Sequence, residues 1–173
     1  MSERALPPYT YTPGVTPHPI RDPAGHSHGF PAHDVVVDAA SVDRCCEFRR
    51  GIELFQHGFY WEAHEAWEAV WHALARTGPA ADFLKGLIKL AAAGVKAREG
   101  NSDGVQRHAR RAVELLSSAK RLSPDIAVFT DDRLVPLVER AANLATAASP
   151  YPRLGHGRPV IFWPELGEKL DRL

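Results

Sequence analysis

The chain has 173 residues, 45% of them apolar and 24% charged, with 21 basic side chains against 21 acidic ones. That is enough chain for one globular domain with a core of its own, and zero net charge speaks against a whole-surface grip on nucleic acid or on an anionic membrane. No apolar run reaches the roughly 18–20 residues that span a bilayer, and the opening MSERALPPYTYTPG has neither the basic nor the apolar region of a secretory signal.

Residues 1–33 hold seven of the fourteen prolines and four of the nine histidines. Proline removes helical hydrogen bonds and pushes its predecessor towards extended backbone, so this stretch reads as an arm. Its segment TPHPIRDPAGHSHG (16–29) is too specific for a flexible spacer. Helical signals start near Ser41, a capping residue, with Val42, Cys45, Arg49, Ile52 and Phe55 or Gln56 at helical spacing. Adjacent Cys45 and Cys46 cannot build a disulfide framework and read as small apolar side chains of a reduced, cytoplasmic protein. His57-Gly58 supplies a stop. A second helix is expected from about Phe59 to Ala75, ended by RTGPA, with Pro79 opening a third over about Ala80 to Glu99. On the third, Leu84, Leu87, Ile88, Ala91 and Val95 form one stripe, and the run Ala91–Gly94 is small enough for a close neighbour. A fourth helix is expected from about Asp103 to Leu122, striped by Val105, Ala109, Ala112, Leu116 and Ala119. SPD (123–125) interrupts it, and a fifth follows over Asp131–Ala147 with Pro136 near its first turns. The tail from Ser149 is rich in Pro and Gly and ends in a short helical turn. The expected fold is all-α: a compact bundle of about five helices (34–148), with an N-terminal arm (1–33) and a C-terminal tail (149–173) packed on it.

The second helix carries the unusual chemistry. YWEAHEAWEAVWH (60–72) holds three Trp, three Glu and two His in thirteen residues. Tyr60, Trp67 and Trp71 make an aromatic side, and Glu62, Glu65 and Glu68 an acidic flank, with Glu62 expected in solvent. His64 and Glu68, at i and i+4, lie near the seam. His64-Glu65-x-x-Glu68 is the H-E-x-x-H metal helix with Glu replacing the second His. In that reading His64 and Glu68 are ligands, Glu65 is the base, and His26 or His28 from the arm, or His108 from the fourth helix, completes the site. The plainer reading makes the aromatics core and pairs Glu65 or Glu68 with Lys85 or Lys89. The basic face Arg107, Arg110, Arg111, Lys120 and Arg121 carries no interleaved aromatics and reads as solvated, with no nucleic-acid partner.

RRGIELFQHGFYWEAHEAWEAVW (49–71) followed by FLKGLIKLAAAGVKAREGN (83–101) resembles the family called domain of unknown function 309, over roughly residues 44–117. The marks are Tyr60, Trp61, Glu62, His64, Glu65, Trp67, Glu68 and Trp71. Where family members often have Gln, this chain has Lys89. The resemblance implies a small helical bundle and no activity. The helix pairs are also similar in packing type to tetratricopeptide hairpins. The function expected is a binding or scaffold role for a polar pocket of Tyr60, Glu62, His64, Trp67, Glu68 and Lys89, open to an unknown small ligand. The alternatives are a hydrolase with a divalent metal cofactor, using Glu65, and a homo-oligomeric module. No membrane partner is expected.

Overall fold

A computed structural model describes residues 4–30, 34–123 and 129–173 of the chain. Among the described residues it is all-helical, with no strand. A 3-10 helix (Ala39–Arg44) leads into α1 (Cys46–Gln56), α2 (Tyr60–Ala73), α3 (Pro79–Arg98), α4 (Ser102–Leu122), α5 (Asp131–Thr146) and α6 (Pro164–Leu170). Each helix from α1 to α5 packs on its sequence neighbour, and α6 touches both α5 and α1, so the last helix closes the bundle. Of the four arm histidines, His33 lies outside the described residues, as do 124 and 125 of the expected SPD break.

The first helix departs from expectation at its start. Asp38, not Ser41, is the cap, accepting from the amide of Ala40 and from the Ser41 hydroxyl. The backbone turns extended at Cys45, so the 3-10 helix and α1 are separate. Cys45 is buried and Cys46 exposed, and Arg49 is also exposed. The packing face of α1 runs instead through Phe48, Ile52 and Phe55. Its stop is as the sequence indicates. Gly58 takes φ +80°, and the amides of Phe59 and Gly58 close on the carbonyls of Leu54 and Phe55, the paired bonds of a Schellman ending.

The stripes of the third and fourth helices enter the core as spaced. Leu84, Leu87 and Ala91, and Val105, Ala109, Ala112, Leu116 and Ala119, are almost wholly buried. Tyr60 and Trp67 of α2 are buried beside them. Ala91, Ala93, Tyr60 and Trp67 are thus covered within the chain, while Trp71 is partly buried.

Both ends of the chain meet at the C-terminal end of α3. The Arg98 side chain is 1% exposed. Its guanidinium donates to Thr12 Oγ1 (3.0 Å) and to the carbonyls of His156 (2.7 Å) and Arg158 (3.0 Å). The amide of Thr10 donates to Gly157 O at 2.9 Å, which ties arm and tail to one another. A buried guanidinium has five donors to satisfy, and backbone carbonyls from irregular segments supply the acceptors that neighbouring helices cannot.

Candidate functional site

Helix α2 turns Tyr60, Ala63, Trp67 and Val70 into the core. Tyr60 and Trp67, expected to line a pocket, are instead packing residues with satisfied polar edges. The Trp67 indole donates to Phe48 O at 3.1 Å, and the Tyr60 hydroxyl accepts from the Phe162 amide at 2.9 Å. Burial pushes the Tyr60 hydroxyl up to about 12, with the Phe162 amide working against it.

Glu62 overturns the expectation of a solvated carboxylate: it is 6% exposed. The arm lies across it. Glu62 Oε2 accepts from the Thr10 hydroxyl at 2.7 Å and Oε1 from the Tyr11 amide at 2.8 Å. His26 Nε2 stands 3.5 Å from Oε1. Glu62 also acts electrostatically on Arg98, partly offsetting the burial that lowers the guanidinium from its ordinary value. Glu62 and Arg98, both buried and bridged by the segment Thr10–Thr12, thus fix the arm to α2 and α3. Around them, Tyr11 and His18 set their rings against Trp61, at 5.2 and 5.4 Å between centroids.

His26 and His28, the expected arm ligands, are engaged away from the His64 seam. His26 goes to Glu62, and His28 Nδ1 meets Ile20 O at 2.9 Å. What the seam does bring together is His64, Glu65 and Glu68, each half-buried, whose ligand atoms lie within 4.8 Å of one another. His64 Nδ1 faces Glu65 Oε1 at 3.5 Å and is buried with no hydrogen-bond partner among the described residues. Bonds of about 2.1 Å at tetrahedral angles separate two ligand atoms by about 3.4 Å, so small side-chain turns would fit this group around one divalent ion. His108 of α4 lies near enough to feel His64. Burial pulls His108 below its ordinary value, and Lys89, Lys96, Arg107 and His64 push the same way, so its charged form is disfavoured.

The lysines of α3 do not pair with the acidic flank. Among the described residues the ion pairs of α2 are His26–Glu62, His64–Glu65 and His72–Glu68. Lys85 instead sits over the Trp71 ring, 5.7 Å from its centroid. Lys89 is half-buried and, like His64, acts electrostatically on His108.

The cavity itself opens on the other flank of α2. A groove of about 730 Å³ runs between the arm, α1 and α2. Leu6, Pro7 and Pro8 of the arm, Leu54 of α1 and Ala66 and Ala69 of α2 give it apolar walls. Its polar groups include Arg50, His26, Ser27, Glu62 and Glu65. Arg50 is already engaged, donating to the carbonyls of Arg4 and Ala5 and to Glu53. Of the expected pocket residues, Glu62 and the candidate base Glu65 line this groove; Lys89 is not among its walls. Arg98, Thr10, Thr12 and Ser27 carry no signal in helical periodicity, which is why the sequence did not mark them. No helix among the described residues is long and apolar enough to cross a membrane.

Residues 48–108 match the model of the family described as Domain of unknown function (DUF309). No curated protein and no solved structure matches the chain. The matched segment runs from α1 into α4 and contains Glu62, His64, Glu65, Glu68 and Arg98, while both arms lie outside it. Over residues 48–108, from α1 into α4, the helical core of this chain is thus similar to the DUF309 family.

Proposed function

We propose that the protein binds a small amphipathic molecule in the groove between the N-terminal arm, α1 and α2. The observation that supports this is His26. Its side chain is 10% exposed, its Nε2 makes no hydrogen bond among the described residues, and it lines the groove. A buried, unpaired ring nitrogen is costly unless something uses it. The groove volume, about 730 Å³, is that of ordinary ligand pockets, and its apolar walls with few polar groups are their usual make-up. The apolar dye anilinonaphthalene sulfonate should therefore bind the folded chain with blue-shifted emission. Ala69→Trp, which fills the groove from α2, should weaken that binding at least about tenfold, the loss of a good apolar contact, with little change in melting temperature. Equal dye affinity in parent and variant would remove the groove from consideration.

A second reading is favoured by Glu65, which both lines the groove and belongs to the His64/Glu65/Glu68 group. A divalent ion held there would stand at the groove's edge, where it could polarise a bound carbonyl or water. With His64 and Glu68 as ligands, Glu65 serves as third ligand or as base. Purified protein dialysed after exposure to zinc, nickel or manganese should then retain about one ion per chain, and His64→Ala should release it. A chain that stays metal-free by elemental analysis in all three ends the hydrolase reading.

A further inference from the structure

Three groove residues stand in a row that their separate roles do not explain. Ser27 Oγ is 2.9 Å from His26 Nδ1. The other ring nitrogen, His26 Nε2, faces Glu62 Oε1 at 3.5 Å. Glu62 is held in place by the Thr10 hydroxyl and the Tyr11 amide, at 2.7 and 2.8 Å. Tyr9 sets its ring edge-on against the imidazole, 4.8 Å between centroids, so the ring plane is fixed as well. All three residues line the same groove.

We propose that Ser27, His26 and Glu62 form a nucleophilic relay acting on an ester with an apolar acyl chain. This rests on the groove being the ligand site. Glu62 Oε1 is the acid nearest Nε2, too far for a hydrogen bond in the free chain, and the relay requires it to close on that nitrogen when an ester fills the groove, which leaves Nδ1 to accept from the Ser27 hydroxyl. That is the arrangement of nucleophile, base and orienting acid, with the two ring nitrogens exchanged relative to the serine-protease order; the roles are set by geometry and not by which nitrogen is used.

The steps balance without any further reagent than water. The Ser27 oxygen bonds to the acyl carbon while its proton passes to His26 Nδ1. The ester C–O bond then breaks, and the departing oxygen takes that proton and leaves as an alcohol. Water attacks the acyl–Ser27 carbon, giving its proton to Nδ1. The carbon–Ser27 bond breaks, the acid leaves, and the proton returns to Ser27. Throughout, Glu62 offsets the positive charge that the imidazole carries between transfers. The walls of Leu6, Leu54 and Ala69 suit an apolar acyl chain. A carboxylate that merely fastened the arm would make the same contacts with Thr10 and Tyr11, but it would not make the Ser27 hydroxyl reactive.

The full chain should be treated with an alkyl fluorophosphonate and followed by intact mass and peptide mapping. One phosphonyl group per chain on Ser27 is expected. Labelling should be absent in Ser27→Ala and slowed at least about 100-fold in His26→Ala, the usual worth of a positioned base. No addition to the parent chain, or equal addition to Ser27→Ala, overturns the proposal. The dye titration on the same samples separates the two ideas. Dye binding without labelling leaves the groove and removes the relay, while loss of both removes the groove and the relay together.

Discussion

Glu62→Ala should cost about 3 kcal/mol and lower the melting temperature by about 9 °C. The carboxylate is 6% exposed and accepts from the Thr10 hydroxyl and the Tyr11 amide. Its removal leaves two donors without acceptors in a place water reaches poorly, and each such orphan costs about 1–3 kcal/mol. It also takes away the negative charge that partly offsets the burial of Arg98. The arm then loses its anchor on α2, so trypsin should cut at Arg21 faster in the variant than in the parent. Glu62→Gln should lose about half as much, because the Thr10 hydroxyl can turn to accept from the new amide nitrogen while Tyr11 keeps its oxygen. Glu68→Gln is the contrast. Glu68 is 38% exposed, and its one ion pair among the described residues is with His72, at 3.9 Å, so its loss should stay within about 0.5 kcal/mol. Calorimetry on the three variants decides the matter. A Glu62→Ala protein as stable as the parent, or a Glu68→Gln protein as weak as Glu62→Ala, would mean that the arm is not held as described.

The contrast between these two glutamates shows where periodicity stops informing. Helical spacing placed Leu84, Leu87 and Ala91 in one stripe, and they are buried, because an α-helix fixes the angle of each side chain and a bundle needs one apolar face per helix. The same wheel put Glu62, Glu65 and Glu68 on one flank and gave no reason to bury Glu62. What separates them is the arm, which crosses α2 over Glu62 and leaves Glu68 half-exposed. Where an irregular segment lies depends on long-range contacts such as Thr12 with Arg98, 86 positions apart, and no local pattern encodes those. Arg98 was invisible for a related reason: a basic residue in the last turn of a helix is ordinary dipole chemistry, and only the two arms folding over it make it a buried clamp. The His64–Glu65–Glu68 group was legible because its spacing lies within one helix. The groove was not, since its walls come from the arm and α1 as well as α2. The expected lysine partners failed on geometry too: α3 turns Lys85 to the face of Trp71, where a cation gains from the ring without giving up its water.

Gly94→Ala should be destabilising by about 3 kcal/mol, the upper end of overpacking costs, although the same change on a helix surface would stabilise by about 1 kcal/mol. The sign is set by Tyr60. A Cβ at position 94 would stand 2.3 Å from Cγ of that ring. The ring has little room to yield. It stacks on Phe162 with centroids 6.0 Å apart, meets Phe55 edge-on at 5.0 Å, and its hydroxyl accepts from the Phe162 amide. Swinging it away would pull at the tail that α6 follows, and holding it in place would push α3 off α2. The small run Ala91–Gly94 thus admits an aromatic ring of α2 rather than a whole neighbouring helix. The double variant Tyr60→Ala/Gly94→Ala isolates the cause. Tyr60→Ala alone should lose about 3–5 kcal/mol through the cavity it leaves. On that background the methyl at 94 enters empty space, so the second change should gain about 1 kcal/mol in place of losing about 3. The coupling energy of the cycle, about 4 kcal/mol, is then a direct measure of the contact between ring and helix. If Gly94→Ala raises the melting temperature of the otherwise unaltered chain, α2 and α3 do not approach as closely as Tyr60 and Gly94 require.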